Sequence, residues 1–142
     1  QTQIARAISR LAHNGQSYGS ATYFDGHIAK VVQNAANNPE AGPLDVPVAY
    51  LHDVLEDTST TAQDLVNLGV ARAVVRVVAS LTRRRAETYF EYVERVAAAG
   101  GVAARVKTAD LRANLYAGRD DASKESLRRR YELALVTLAG AA

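Results

Sequence analysis

Apolar residues in this chain recur at spacings of three and four and almost nowhere alternate with period two, a pattern that commits the sequence to packed helices rather than to a sheet. Ile4, Ala7, Ile8 and Leu11 make the first stripe, which should stop near Asn14-Gly15. A polar loop follows, then a second helix from about Tyr23 to Asn37 with Ile28, Val31 and Val32 apolar, before the Asn/Pro/Gly-rich stretch Asn37 to Pro43 breaks the chain. Pro47 is placed to be the first residue of a third helix, running on through Val48, Tyr50, Leu51, Val54 and Leu55.

Thr60 or Thr61 is suited to cap a short fourth helix that ends at Leu68. Val70 to Leu81 is valine-rich, yet its 3.6-residue context and the lack of a partner strand favour a buried fifth helix. Thr88 to Ala99 and Val102 to about Tyr116 give two more, separated by Gly100-Gly101. After a turn at Asp120 to Ser123, Lys124 to Leu138 closes the chain with Leu127, Tyr131, Leu135 and Leu138 inward. The expected fold is therefore all-α, a bundle of seven or eight helices, and 142 residues suit a single domain spanning 1–142.

Composition removes several function classes. A chain that is 48% hydrophobic and 23% charged is neither disordered nor membrane-spanning in character, and no apolar run approaches a membrane helix or a secretory leader, so a cytoplasmic location is expected. A net charge of +2 without a basic, aromatic-interleaved stripe gives no reason to expect nucleic-acid binding. Pairing of two copies into a homodimer through a helical face is compatible with the pattern. Because the sequence has no cysteine, any metal must be held by histidine and carboxylate groups. Beginning at Gln1, it is expected to carry a processed or trimmed terminus.

The chemistry concentrates in the third helix. His52 precedes Asp53 directly, and Glu56 and Asp57 follow four residues after each, so the helical repeat stacks His52 with Glu56 and Asp53 with Asp57. Such ionisable groups at the end of an apolar helix demand a counter-charge, which a divalent cation supplies. His27 in the second helix and Asp110 in the seventh offer further ligands, and Asn114 lies one turn beyond Asp110. Read alone, Asp110 suits a helix cap or a salt bridge to Arg105 or Arg112, and His13 suits a structural or capping role. Two imidazoles with two carboxylates make a mixed set suited to manganese, iron, zinc, cobalt or nickel and not to calcium.

The stretch Ala49-Tyr-Leu-His-Asp-Val-Leu-Glu-Asp-Thr58, with His27 before it and Lys107-Thr-Ala-Asp-Leu-Arg-Ala-Asn-Leu115 after it, resembles the HD superfamily of metal-dependent phosphohydrolases. Within that superfamily it is most similar to the hydrolase domain of the RelA/SpoT group and its small stand-alone members, which remove the 3'-pyrophosphate of (p)ppGpp. Ala12-His-Asn-Gly-Gln16 looks like the first-helix motif of the group. The resemblance implies His27, His52, Asp53 and Asp110 as metal ligands, manganese as the usual ion, and Glu56 and Asp57 as the acidic pair that positions and deprotonates the attacking water. It implies Asn114 as a nucleotide contact.

The chain departs from the group in three places: Tyr18-Gly19 stands where Arg-Lys is common, Ile28 replaces a proline, and the spacing around Tyr23 is loosened. Lys107, Arg83 to Arg85 and Arg112 are candidates for phosphate contacts, and Tyr18 or Tyr23 for stacking on a base. The expected partner is thus a phosphorylated nucleotide. No synthetase or regulatory module is read within these residues, so the degradative reaction alone is expected. The alternatives are an HD phosphohydrolase acting on another nucleotide or a phosphate monoester, and a non-catalytic nucleotide-binding module.

Overall fold

The structure, a computed structural model that describes residues 1–141, is an all-α bundle. Its helices are α1 (Thr2–Ala12), α2 (Ala29–Ala36), α3 (Asp45–Leu51), α4 (Val54–Asp57), α5 (Ala62–Asn67), α6 (Arg72–Ser80), α7 (Tyr89–Ala99), α8 (Gly101–Ala117) and α9 (Glu125–Leu138). A five-residue π-helical turn, Phe24–Ile28, leads into α2, and a short 3-10 turn, Ala122–Lys124, leads into α9. The loop after α1 is a hairpin of two-residue strands, β1 (Ser17–Tyr18) and β2 (Ala21–Thr22), paired Ser17 to Thr22 and Tyr18 to Ala21. Gly19 opens its two-residue turn at φ +60°, a conformation that a side chain would resist.

The chain is organised around α8, which packs on α2, α3, α6, α7 and α9. Its Ala103, Ala104, Val106, Ala109, Leu111 and Ala113 are buried in the same cluster as Val31, Val48, Leu51, Val74, Val78, Val93 and Val96. The valine-rich segment is indeed helical and sends Val74, Val75 and Val78 into this core. Small residues along α8 let its neighbours approach closely, so that groups on α2, α3 and α8 can meet in the interior.

Three sequence expectations are corrected. Pro47 is the third residue of α3, not its first; at that position its missing N–H still sacrifices no intrahelical bond, because Val48 makes the first one, to Leu44. The third helix is two helices. It breaks at His52 and Asp53, where the His52 ring nitrogen Nδ1 lies 2.7 Å from the Ala49 carbonyl and takes up an acceptor at the helix end. The buried face of α1 consists of Ala5, Ile8 and Ser9, while Leu11 is 78% exposed; likewise Leu127 of α9 faces outward and Ala134 takes the buried position. Both helices lie on the outside of the bundle, where a narrow strip suffices and apolar residues beside it stay at the surface.

Asp45 at the start of α3 is fully buried and accepts two bonds from Arg105 of α8, at 2.7 and 3.0 Å, with a third from the Gly42 amide at 2.9 Å. This pair locks α3 to α8 and thereby fixes the distance between His52 and Asp110. Arg105→Ala leaves the carboxylate buried without its cation and is expected to cost about 3 kcal/mol in a urea unfolding titration; a loss within the range of an ordinary surface substitution would refute this account of the α3–α8 contact.

Candidate metal centre

The residues His27, His52, Asp53 and Asp110 converge from three separate segments. His27 Nε2 lies 2.9 Å from Asp110 Oδ1 and 3.7 Å from Asp53 Oδ2; His52 Nε2 lies 3.1 Å from Asp53 Oδ2 and 3.5 Å from Asp110 Oδ1. Both histidines and Asp110 are buried, and Asp53 is nearly so. Donors held about 2.1 Å from one ion at right angles sit about 3 Å apart; His27, His52 and Asp53 have ligand atoms within 4.8 Å of one another, in keeping with a shared coordination sphere, and Asp110 approaches it from the side of the two imidazoles. The acceptor state also fits. Because the Nδ1 of His52 faces the Ala49 carbonyl, its N–H belongs there and the lone pair belongs to Nε2, which has two carboxylates within 3.5 Å yet no hydrogen bond of its own. The donor set suits a divalent cation of the mixed nitrogen and oxygen type.

Local structure explains how each group arrives. The loosened spacing around Tyr23 is the site of the π-helical turn Phe24–Ile28, whose wider coil carries His27 inward. Gly26 within it is a close-approach position: a Cβ there would stand 3.1 Å from Ala21 Cβ and 3.3 Å from the Tyr18 ring. Asp53 sits in the break between α3 and α4, and the Tyr23 hydroxyl donates to its Oδ2. Asp110 is fixed from its other side by Lys107, whose ammonium donates to Oδ2 at 2.8 Å and lies over the Tyr92 ring.

The electrostatics follow from burial and these contacts. Burial opposes ionisation of Asp110, but the Lys107 ammonium and the imidazoles outweigh it and hold the carboxyl well below the ordinary range. Burial likewise opposes charge on His52, yet Asp53 and Asp110 draw a proton onto it well above the usual histidine range. A metal ligand must be a neutral imidazole, so loading a cation releases that proton. Tyr23 is raised by burial and by Asp53, which keeps its hydroxyl a donor.

The remaining sequence candidates distribute around this centre. Asp57 is solvent-accessible at the end of α4, its carboxyl pushed up to about 6 by partial burial and by the neighbouring Asp53 and Glu56 carboxylates. Glu56 turns to the loop after α6, where its Oε1 accepts from the Arg83 amide at 2.9 Å. The Arg83 side chain itself donates to the Glu87 carbonyl, and Lys107 is engaged by Asp110, so both cations already hold protein partners. Asn114 receives the Tyr18 hydroxyl on Oδ1 at 2.7 Å, and its Nδ2 lies 3.5 Å from Asp110 Oδ1. His13, the capping residue of α1, is buried, bonded to Gln16 and packed against the Tyr23 ring, 4.9 Å away between centroids.

Beside Asn114 a cavity of about 180 Å³ is lined by Tyr18, Leu115, Leu127, Tyr131, Lys124 and Arg128 among others. The sequence placed Leu127 and Tyr131 in the core and Arg128 on a solvated face; the signal for a pocket was their one-turn spacing on a helix with too few apolar residues to bury all of them.

Comparison with solved structures finds the same fold in a metazoan ortholog of SpoT, described as a protein that hydrolyzes ppGpp and plays a role in starvation responses. The TM-score is 0.76 at 21% identity, and the alignment covers 99% of this chain and 86% of that one. No family model matches the sequence, and no curated protein matches it. The all-α bundle expected from the apolar spacing is therefore the fold of this chain. No helix among the described residues is long and apolar enough to cross a membrane.

Between the ordinary aspartate range and about pH 6, the folded chain binds at Asp57 a proton that the unfolded chain has released, so this group makes stability fall as pH rises through that window. In chelator-treated protein, Asp57→Asn is expected to raise the Tm at about pH 7.5 and to leave it nearly unchanged at about pH 4, as read by scanning calorimetry. An equal shift at both pH values would contradict the raised carboxyl.

Proposed function

We propose that this chain is a metal-dependent phosphohydrolase acting on a phosphorylated nucleotide in the cytoplasm, with the 3'-pyrophosphate of (p)ppGpp as its preferred target. The reading rests on one observation above the others: His27, His52 and Asp53 bring three ligand atoms within 4.8 Å of one another, with Asp110 Oδ1 within 3.5 Å of both imidazole nitrogens, in a fold shared with a ppGpp hydrolase. His27, His52, Asp53 and Asp110 would hold the cation, for which manganese is the favoured ion and iron, zinc, cobalt and nickel suit the same donors. When bound, the cation lowers the pKa of water and neutralises charge building on the phosphoryl oxygens.

The chain's own groups supply the rest. Asp57 stands one helical turn from Asp53 and presents at the end of α4 a carboxylate that would accept a proton from the attacking water. Water's oxygen forms the new bond to phosphorus, the ester bond to the 3'-oxygen breaks, and the proton accepted by Asp57 passes to the departing 3'-oxygen. Glu56, tied to the Arg83 amide, brings the arginine-rich loop to the edge of the centre, where the exposed guanidinium groups of Arg84 and Arg85 would meet the distal phosphate. Lys107 occupies the second oxygen of Asp110, so that a single oxygen faces the centre. Asn114 has its carbonyl engaged by Tyr18 and one amide N–H directed at Asp110, which leaves the other N–H for the nucleotide, whose base would enter the cavity against Tyr18 and Tyr131.

A hydrolysis panel in manganese buffer, with products identified by mass, tests this. Pyrophosphate release from ppGpp is expected to exceed turnover of GTP, ATP and phosphate monoesters by at least about tenfold. Asp53→Ala is expected to lose both bound metal and activity, whereas Asp57→Asn keeps the metal and loses about 10²- to 10⁴-fold in kcat. Equal turnover across the panel removes the substrate assignment, and full metal content in Asp53→Ala removes the centre itself.

A further inference from the structure

The proposed hydrolysis leaves one sequence motif without a role, the Ala12-His-Asn-Gly-Gln16 segment at the end of α1. Its glutamine makes a long-range contact. Gln16 Nε2 donates to the Asp57 carbonyl at 3.0 Å across a sequence separation of 41 residues. The other end of the same carboxamide is fixed as well: His13 Nδ1 lies 2.8 Å from Gln16 Oε1, and since the amide nitrogen is committed to Asp57, the imidazole N–H is the donor. The backbone of Gln16 is held in turn by the Tyr23 amide, which donates to its carbonyl at 2.8 Å.

This contact falls where local structure is weakest. α4 is a single turn of four residues, far shorter than a helix that persists by its own hydrogen bonds. After Asp57 the chain turns extended at Thr58, φ −134° and ψ 173°, so the Asp57 carbonyl has no helical continuation to accept from. Two bonds secure the end of the turn: the Thr58 hydroxyl to the Val54 carbonyl at 2.6 Å, which is local, and Gln16 to the Asp57 carbonyl, which comes from another segment. The second refers the carboxyl end of the turn to the body of the protein, as the Arg83 amide does for the Glu56 side chain, because Gln16 is continuous with buried His13 and with Tyr23, whose hydroxyl is on Asp53.

We infer that Gln16 is a positioning residue for the hydrolysis: by holding the Asp57 carbonyl against the His13–Tyr23 unit, it sets the aim of the Asp57 carboxylate relative to the metal centre. The inference rests on the proposed function for its catalytic consequence, but the pinning of α4 stands on the contact alone. Gln16 touches no reacting atom, so its loss moves the reacting geometry and not the occupancy of the centre.

The test uses Gln16→Met, which keeps the length of the side chain and removes both polar atoms, with Gln63→Met on the exposed face of α5 as a control far from the centre. Expected for Gln16→Met is a kcat lower by about 10- to 100-fold with KM and manganese affinity, the latter read by electron paramagnetic resonance, within about twofold of the parent. Hydrogen exchange across residues 54–58 should quicken at least about fivefold while α8 stays protected. Gln16→Ala repeats the measurement should the longer side chain pack badly. An unchanged kcat in an active enzyme overturns the positioning role, as does a parallel loss of manganese, which would place the effect on the ligands. If the parent hydrolyses none of the panel, the functional reading falls by itself, and the exchange rates still decide whether Gln16 pins α4.

Discussion

Two aspartates held within reach of the same two imidazoles in a protein interior repel each other, and the rest of this structure is arranged around managing that repulsion. Asp53 and Asp110 are both buried beside His27 and His52, at distances where an uncompensated charge would cost several kcal/mol. Without a cation, the chain compensates with what it has: a proton drawn onto His52, the Lys107 ammonium on Asp110, and the Tyr23 hydroxyl on Asp53. Each compensation is partial. The net result is a cluster whose lone pairs face inward and whose proton is exchangeable for a metal ion.

The fold can be read as the frame that this cluster needs. α8 presents Asp110 from within the core, and its small side chains let α2 and α3 come close enough for their histidines to reach it. The Asp45–Arg105 pair then fixes α3 along α8 at the end opposite the break. That break is functional geometry. In a continuous helix His52 and Asp53 would diverge by about 100° around the axis, whereas the turn at Asp53, φ −102° and ψ −3°, lets adjacent residues contribute to the same centre. The cost is a stub, α4, that cannot support itself.

Much of this was legible in the sequence, for reasons that differ by element. The helices followed from apolar spacing because most are pressed on one face into a common core, whereas the meeting of His27, His52, Asp53 and Asp110 was expected from the family resemblance, since Asp110 read alone suits a cap or a salt bridge equally well. What escaped were features set by tertiary contact. Nothing in the spacing of Val48, Leu51, Val54 and Leu55 marks the break at His52, because both sides of it stay helical and in phase. Leu11 and Leu127 were assigned to the core from periodicity alone, which cannot tell how wide a stripe the neighbours will cover. Asp45 gave no signal at all: its burial depends on an arginine 60 residues away.

The same distinction bears on how far a shared fold determines a substrate. At 21% identity with a TM-score of 0.76, most aligned residues differ between this chain and the metazoan protein while the backbone path is kept, as expected when volume and patterning suffice to fold a bundle. The pocket beside Asn114 is another matter, since its wall is built by Tyr18 where the sequence pattern of the alarmone hydrolases commonly supplies charge. A tyrosine whose hydroxyl is bonded to Asn114 Oδ1 offers a π-face and no cation, and it fixes the orientation of that carboxamide as a donor toward the centre. Under the proposed function, recognition of a base here would come from stacking between Tyr18 and Tyr131, with Lys124 and Arg128 available for charge at the rim. Stacking is tolerant of base identity where hydrogen-bonded readout is not. On the proposed reading, the chemistry at the metal would thus be more tightly specified by this chain than the nucleoside to which the phosphate is attached.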